Sequence, residues 1–577
     1  MTAPPPPAQL SSLAISPDAP FTAEQRIWLS GYLAGARSAA AAGPVRKETG
    51  MTPVHVLYGT ETGNAEYVAD LLTERLTEAG VPWELHELDA VDADALAAMS
   101  RVVVVCSTYG DGEMPDNADL FRKMVTADDA PRLDATSFAV CALGDESYED
   151  FCAAGRLLDT RLAELGATRI LERRDCDVMW EDASAQWFPE IVAVLAAAPA
   201  ATTAPEPAPE PEPVRRRDRP APVPAVLAHR VRLSGPASDK EIHHHEFDLT
   251  GTGLTYAAGD SLTVVPANDP ALVEAFLHHL GHDGDAPVGD RPLRELLTSV
   301  HEIVTPSRDL LDVLAERAAD AGLRAALRED RAACLWDRDL LGLLHAARLR
   351  LDPEELVGLL RPLRHRAYSI SSSPLLFPDR VHLTVAAVRY RCADRAVGGV
   401  CSTHLADRLA VGDSAVVSLQ PNTGFRPPAD DVDMIMVGPG TGVAPFRAFL
   451  QERAARGARG RNWLLFGDRR SDHDFLYRSE LLGWAEDGLL THLDLAFSRD
   501  QAEKVYVQDR MRTHGARLHA WLAGGAHLYV CGDASRMARD VDAALHEILA
   551  AHTGGEDGAA GFVADLKRGK RYLRDVY

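Results

Sequence analysis

Short apolar runs alternate with amphipathic stretches between residues 51 and 200. Val54–Leu57, Arg101–Cys106, Ser137–Ala142 and Arg169–Leu171 read as strands with helices between them. That alternation predicts an open parallel sheet covered on both faces by helices. The pattern then collapses into Ala-Pro-Glu-Pro-Ala-Pro-Glu-Pro-Glu-Pro at 204–213, followed by three arginines from Arg215. A Pro/Glu tract builds no core and predicts a semi-extended linker on which the preceding domain moves. Residues 226–267 and 364–428 read as β-rich. The stretch 268–360 between them is helical, with Leu272, Val273, Phe276, Leu277 and Leu280 at helical spacing. From Asp433 the strand–helix alternation returns, with a strand at Met434–Val437 and a helix at Phe446–Arg453. The expected organisation is an α/β multidomain chain: a tail (1–50), a first α/β domain (51–200), a linker (201–225), a β-barrel with a helical insertion (226–430) and a second α/β domain (431–577). In the tail, Phe21–Leu33 reads as a short amphipathic helix capped by Thr22, with Ile27, Trp28, Tyr32 and Leu33 on one face. Such a helix either packs back on the body or joins subunits into a homo-oligomer.

Composition narrows the picture. The formal net charge of −25 argues against nucleic acid as a partner. Residues 51–200 carry 29 Asp and Glu against 10 Lys and Arg, a net −19. That surplus is either a solubilising surface or a docking face for something basic. The eight cysteines form no CxxC pair, so neither a metal finger nor an iron–sulfur cluster is expected from this chain alone. Scattered thiols, the lack of a signal-like start and the lack of a long apolar run together predict a soluble cytoplasmic protein. His243-His-His245 lies in an expected strand, where consecutive residues face opposite ways, so no metal site is expected there.

The chemistry concentrates in three places. Thr60, Glu61, Thr62, Gly63 and Asn64 follow a strand and open a helix, an arrangement that presents amides and hydroxyls to a phosphate. No Lys-Ser/Thr pair follows, so this is not a nucleotide-hydrolysing loop. Two more loops end the next strands: Ser107, Thr108, Tyr109 and Gly110 in one; Leu143, Gly144, Asp145 and Tyr148 in the other, leading to Phe151. Ligands of open sheets bind where such loops converge, and Tyr109 and Tyr148 suit a flat ring. Further on come Arg366-Ala-Tyr368-Ser369 and the run Gly399, Val400, Cys401, Ser402, Thr403. Last is Gly438-Pro-Gly-Thr-Gly-Val-Ala-Pro445, containing Gly440 and Thr441. A guanidinium fork suits a diphosphate. The cations and hydroxyls of Ser498, Arg499, Lys504, Tyr506 and Gln508 suit a 2′-phosphate better than a bare ribose diol.

On these motifs the chain resembles the diflavin reductases, and its ending, Arg574-Asp-Val-Tyr577, is most similar to the bacterial sulfite reductase flavoprotein branch. The resemblance implies a flavodoxin-like FMN domain at 51–200, then a ferredoxin-reductase-like module with an FAD barrel and an NADPH-binding domain. It implies FMN phosphate on residues 60–64 with the ring between Tyr109 and Tyr148, and FAD held by Arg366, Tyr368, Ser369 and residues 399–403. It further implies a hydride path from NADPH flanked by Ser369, Cys531 and Asp575, with Tyr577 as the aromatic that covers the FAD ring until nicotinamide displaces it. The expected acceptor is a sirohaem/iron–sulfur protein that reduces sulfite. A donor to a mono-oxygenase or nitrate-reducing partner, and a flavin-binding redox sensor without turnover, are the alternatives.

Overall fold

The computed structural model describes residues 52–197 and 221–577, apart from 62, 111, 147, 149, 179, 337, 393 and 394. The Trp28 segment, Thr62 and the whole Pro/Glu tract therefore lie outside the described residues. The first apolar runs form β1 (Val54–Gly59), β2 (Trp83–Glu87), β3 (Arg101–Ser107), β4 (Ser137–Leu143), β5 (Thr168–Arg169) and β6 (Arg174–Cys176). They lie parallel in the order β2-β1-β3-β4-β5, with β6 also on β4. Val102 to Val105 are buried on both faces, which is why that run is continuously apolar. The expected strand at Arg169–Leu171 is instead split: β5 and β6 pair with different stretches of β4, and the chain bends between them. The edge strand β2, Trp-Glu-Leu-His-Glu, carries no such apolar run and is half-buried at every position.

The second body is antiparallel. Its strands are β7 (Val223–Arg232), β8 (Ile242–Asp248) and β9 (Ser261–Val264), a small pair β10 (Pro287–Val288) and β11 (Arg291–Pro292), then β12 (Arg366–Ser369), β13 (Arg380–Ala386), β14 (Arg389–Cys392), β15 (Arg395–Gly398) and β16 (Ser414–Gln420). The main sheet runs β12-β9-β16-β7-β8-β13, and a bridge between Ile370 and Leu383 joins its two edges into a barrel. Strand β7 starts at Val223, inside the stretch assigned above to the linker. The helical insertion extends from Pro270–Leu280 to Pro353–Leu359 around its own core, which includes Phe276, Leu314 and Leu344. Asp269, Ser307, Asp320, Asp339 and Asp352 each cap a helix there by accepting a backbone amide, and such a cap contributes about 1 kcal/mol.

The third body holds β17 (Met434–Val437), β18 (Asn462–Asp468), β19 (His492–Phe497), β20 (His527–Gly532) and β21 (Tyr572–Val576), parallel in the order β19-β18-β17-β20-β21. The helix expected at 446 begins at Ala444. Strand order reverses at β17, which puts a binding crevice at the carboxyl ends of β17 and β20. The described residues from Pro53 to Ala196 and from Ala221 onward belong to one compact unit. No helix among the described residues is long and apolar enough to cross a membrane.

Candidate functional site

Strand β1 delivers Thr60 directly to a turn whose last residue, Gly63, has φ 84° and caps the helix Asn64–Glu78. Glycine is required there because L side chains rarely adopt that conformation, and a Cβ would also meet the Pro421 carbonyl at 3.1 Å. The turn is pinned: Thr60 N donates to Asn117 Oδ1 (2.7 Å), and Thr60 Oγ1 accepts from Ala65 N (3.3 Å). Beside it, Thr108 N donates to Leu143 O (2.7 Å), Ser107 Oγ to Gly59 O (3.3 Å) and Gly144 N to Cys176 O (2.9 Å). The three loops expected at the phosphate end of the sheet are thus bonded to the ends of its strands. A glycine turn at the head of a helix and a Tyr109 hydroxyl buried without a partner fit an FMN-sized ligand.

The two tyrosines differ. Tyr109 packs against the core of the third body, whereas Tyr148 is 51% exposed and Phe151 is half-buried. Every loop of this site also touches the rest of the chain. Arg364 pairs with Asp145 and, at 2.9 Å, with Asp177; Arg308 donates to Tyr148 O (2.9 Å); Gln420 donates to Asn64 Oδ1 (3.3 Å). Arg574 forks onto Asp116, Lys567 lies 3.7 Å from the same carboxylate, Arg539 pairs with Glu113, and Lys570 lies 2.8 Å from Glu87. Five carboxylates of the acidic first domain, Glu87, Glu113, Asp116, Asp145 and Asp177, therefore face cations of this same chain.

Glu61 sits under that contact. Its Oε2 accepts the Asp116 amide (2.9 Å), while its Oε1 is buried without a partner. Burial, and then the Asp116 carboxylate, push its acid up to about 8, against the pull of Arg574. A folded pKa above the ordinary 4.5 means that the fold favours the neutral acid. That contribution is complete below the unfolded pKa and is lost as pH rises through the folded one. Wild-type thermal stability should therefore fall between about pH 5 and pH 8 relative to Glu61→Gln. Parallel melting profiles for the two proteins would show that Glu61 is not neutral in the fold.

The Arg366 guanidinium is exposed and donates only to the His365 carbonyl (3.2 Å) among the described residues, so its fork is free for a diphosphate. Tyr368 is mostly covered, with its hydroxyl at the Cys401 thiol. The turn Val400–Thr403 starts at Gly399 without a side-chain cap. The hydroxyls of Ser402 and Thr403 bond back to the Gly399 carbonyl (3.3 and 2.9 Å). That leaves backbone amides as the donors a second diphosphate contact would use.

A cavity of about 720 Å³ opens at the carboxyl ends of β17 and β20. Gly440, Thr441, Ser498, Arg499, Lys504, Tyr506, Gln508 and Tyr577, expected from separate motifs, all line it. So do Lys240, Arg469 and Arg536, which sequence reading missed. The Arg469-Arg470 pair closing β18 was a visible signal, whereas Lys240 arrives from the barrel and had none. Next to the lining residues Gly532 and Tyr577 in the chain, Ser369 Oγ donates to Asp575 Oδ2 (2.6 Å) and Cys531 Sγ lies 3.8 Å from the same oxygen. Cys531 and Asp575 are register partners on β20 and β21, and Ser369 ends β12. Burial raises the Asp575 carboxyl above its ordinary value, opposed by the Ser369 and Cys531 hydrogen bonds; burial and then Asp575 push the Cys531 thiol far up. The Tyr577 hydroxyl shares a hydrogen bond with Thr441 Oγ1 (2.7 Å).

Comparison with known proteins agrees with this layout. Residues 56–187 match the flavodoxin family, 215–404 the FAD binding domain and 436–543 the oxidoreductase NAD-binding domain. The chain is 41% identical to the sulfite reductase [NADPH] flavoprotein alpha-component of Bacillus subtilis, over 96% of both chains. It is 39% and 40% identical to the proteins of that description from Klebsiella pneumoniae and Serratia proteamaculans, again over 96% of each. With three nucleotide-binding modules in this order and relatives of that likeness end to end, the chain belongs to the family of sulfite reductase [NADPH] flavoprotein alpha-components.

Proposed function

We propose that this chain is the electron-supplying component of an NADPH-dependent sulfite reductase, drawing electrons from NADPH at the barrel and third body and releasing them from the first domain to a sirohaem/iron–sulfur protein. Bound flavins would supply the exchange between nicotinamide, which gives electrons in pairs, and haem or cluster centres, which take them singly. The observation that carries the reading is the end of β21. Asp575 holds Ser369 and Cys531 two residues before Tyr577, which lines the nucleotide cavity, and its neighbour Arg574 grips Asp116 beside the FMN loop.

The chain's own residues do the following in this reading. Gly440, Thr441 and the 498–508 segment hold the dinucleotide, with Arg499 and Lys504 on the 2′-phosphate. Asp575 fixes the Ser369 hydroxyl and Cys531 thiol toward the reacting carbon and keeps water out. Tyr577 covers the flavin face until nicotinamide takes its place. Cysteines that are all free and buried suit a reducing compartment, and we place the protein in the cytoplasm. The 1–50 segment is our candidate for subunit assembly.

Arg574 seats the first domain. Burial works against its charge, but Asp116 outweighs this and holds the guanidinium above its ordinary pKa. Breaking a charge-assisted fork of this kind costs at least about 1.5 kcal/mol, or roughly tenfold in a docking equilibrium. In Arg574→Ala, reduction of FMN after mixing with NADPH should slow by about tenfold, while FAD bleaching keeps its rate. Slowing of both phases together would place Arg574 in hydride transfer instead. The assignment as a whole is tested by adding NADPH and sulfite to the chain and its host's sirohaem protein. Sulfide formed only when both proteins are present supports it. Brisk reduction of an artificial one-electron acceptor without sulfide, beside a separately active sirohaem protein, means another acceptor.

A further inference from the structure

Strands β1 and β2 bring together three side chains that the electron path does not use. His55 on β1 lies in register with Glu84 on β2, and Glu84 and His86 alternate onto the same side of that strand. His55 Nδ1 and His86 Nε2 each lie 3.4 Å from the same oxygen, Glu84 Oε2. Neither nitrogen makes a hydrogen bond, although both atoms are buried. Two imidazole nitrogens crowd one carboxylate oxygen without the alignment that a hydrogen bond needs. We propose that His55, Glu84 and His86 form a binding site for a divalent cation of the zinc type, with water in the fourth position.

The distances suit the ion. Ligand atoms about 2.1 Å from a tetrahedral centre stand about 3.4 Å apart, which is the spacing of both nitrogen–carboxylate edges. All three ligand atoms lie within 4.8 Å of one another, so a small ring rotation closes the third edge. Two imidazoles and one carboxylate are a zinc donor set. Among the described residues no Lys or Arg pairs with Glu84, and the surrounding domain is strongly acidic, so the local field favours a cation. Side-chain exposures of 41% at Glu84 and 33% at His86 leave a route in from solvent. The ion would clip the edge strand β2 to β1, at the end of the sheet away from the FMN loops.

A second cluster, His244, Glu246 and His382, has similar spacing but fails on chemistry. Arg447 Nη1 lies 3.3 Å from His382 Nδ1, and a guanidinium only donates. His382 therefore carries its hydrogen on Nε2, the atom that faces Glu246 at 3.9 Å, and has no lone pair to offer there. Arg380 also occupies Glu246 Oε2 at 2.7 Å. Of the His243-His-His245 run, His244 Nδ1 bonds the Tyr477 hydroxyl at 2.9 Å and His245 Nε2 the Leu405 carbonyl at 3.3 Å.

The test uses the untagged, flavin-loaded chain equilibrated with micromolar Zn²⁺, gel-filtered and assayed for metal. Wild type should retain one zinc per chain and melt at a higher temperature with zinc than without. His86→Ala and Glu84→Gln should each weaken retention by at least about tenfold and lose the zinc-dependent rise, with flavin content unchanged. His229→Ala, beside the second cluster, should behave as wild type. Should His86→Ala fail to fold, Glu84→Gln decides alone. Wild type without zinc, zinc kept by both site variants, or zinc lost only in His229→Ala would each overturn the proposal.

Discussion

Replacing Asp575 by asparagine should slow NADPH-driven flavin bleaching by about 100-fold while leaving the KM for NADPH within about threefold. Asparagine keeps the shape and can still accept from Ser369, but it removes a buried negative charge that both Ser369 and Cys531 address. A group that orients donors around a reacting carbon acts on the barrier more than on the ground-state complex. Ser369→Ala should act in the same direction. The double variant should lose less than the product of the two effects, because the residues work as one unit. A raised KM with unchanged kcat would instead make Asp575 a binding residue.

The second large effect is expected in nucleotide choice. Arg499 and Lys504 line the cavity, and Arg499 pairs there with Asp239, which also lies 3.4 Å from Arg469 and 3.6 Å from Arg470. A 2′-phosphate entering this cluster offers a stronger, doubly charged partner than one carboxylate. Each charge-assisted hydrogen bond is worth about 1.5–3 kcal/mol, so removing both cations should lower kcat/KM for NADPH by at least about 100-fold. The value for NADH should change by less than about threefold, since NADH lacks the group these cations address. Equal losses with both nucleotides would mean that the 498–508 segment supports the cavity without reading the 2′ position.

Much of this architecture was legible because strand cores such as Val102–Val105 are uninterrupted apolar runs and the insertion opens on apolar residues at helical spacing, with Val273, Phe276, Leu277 and Leu280 buried. Strand β2 was missed because an edge strand half-exposed at every position leaves no apolar run to read. The break between β5 and β6 was missed because Glu172 and Arg173 interrupt pairing without any Gly or Pro to announce it. The binding loops showed as glycines and hydroxyls at strand ends. Ser369, Cys531 and Asp575 were not readable from spacing at all; they came through likeness to a family, and the fold brings them together across 206 and 44 residues. The acidic surplus of residues 51–200 suited a solubilising surface as well as a docking face, and nothing in the sequence pointed to Arg574, 458 positions from Asp116, as a partner. Likewise, His55 and Glu84 become neighbours only through the pairing of β1 with β2.

In the proposed path electrons come in at the FAD-binding module and leave from the flavodoxin-like domain. That direction is tested most directly by removing FMN alone and following both ends of the path. The account predicts that the FMN-depleted protein keeps its NADPH-driven bleaching of FAD at the wild-type rate, yet no longer reduces the sirohaem partner, and that adding FMN back restores this. An FMN-depleted protein that reduces the partner at the full rate would contradict it.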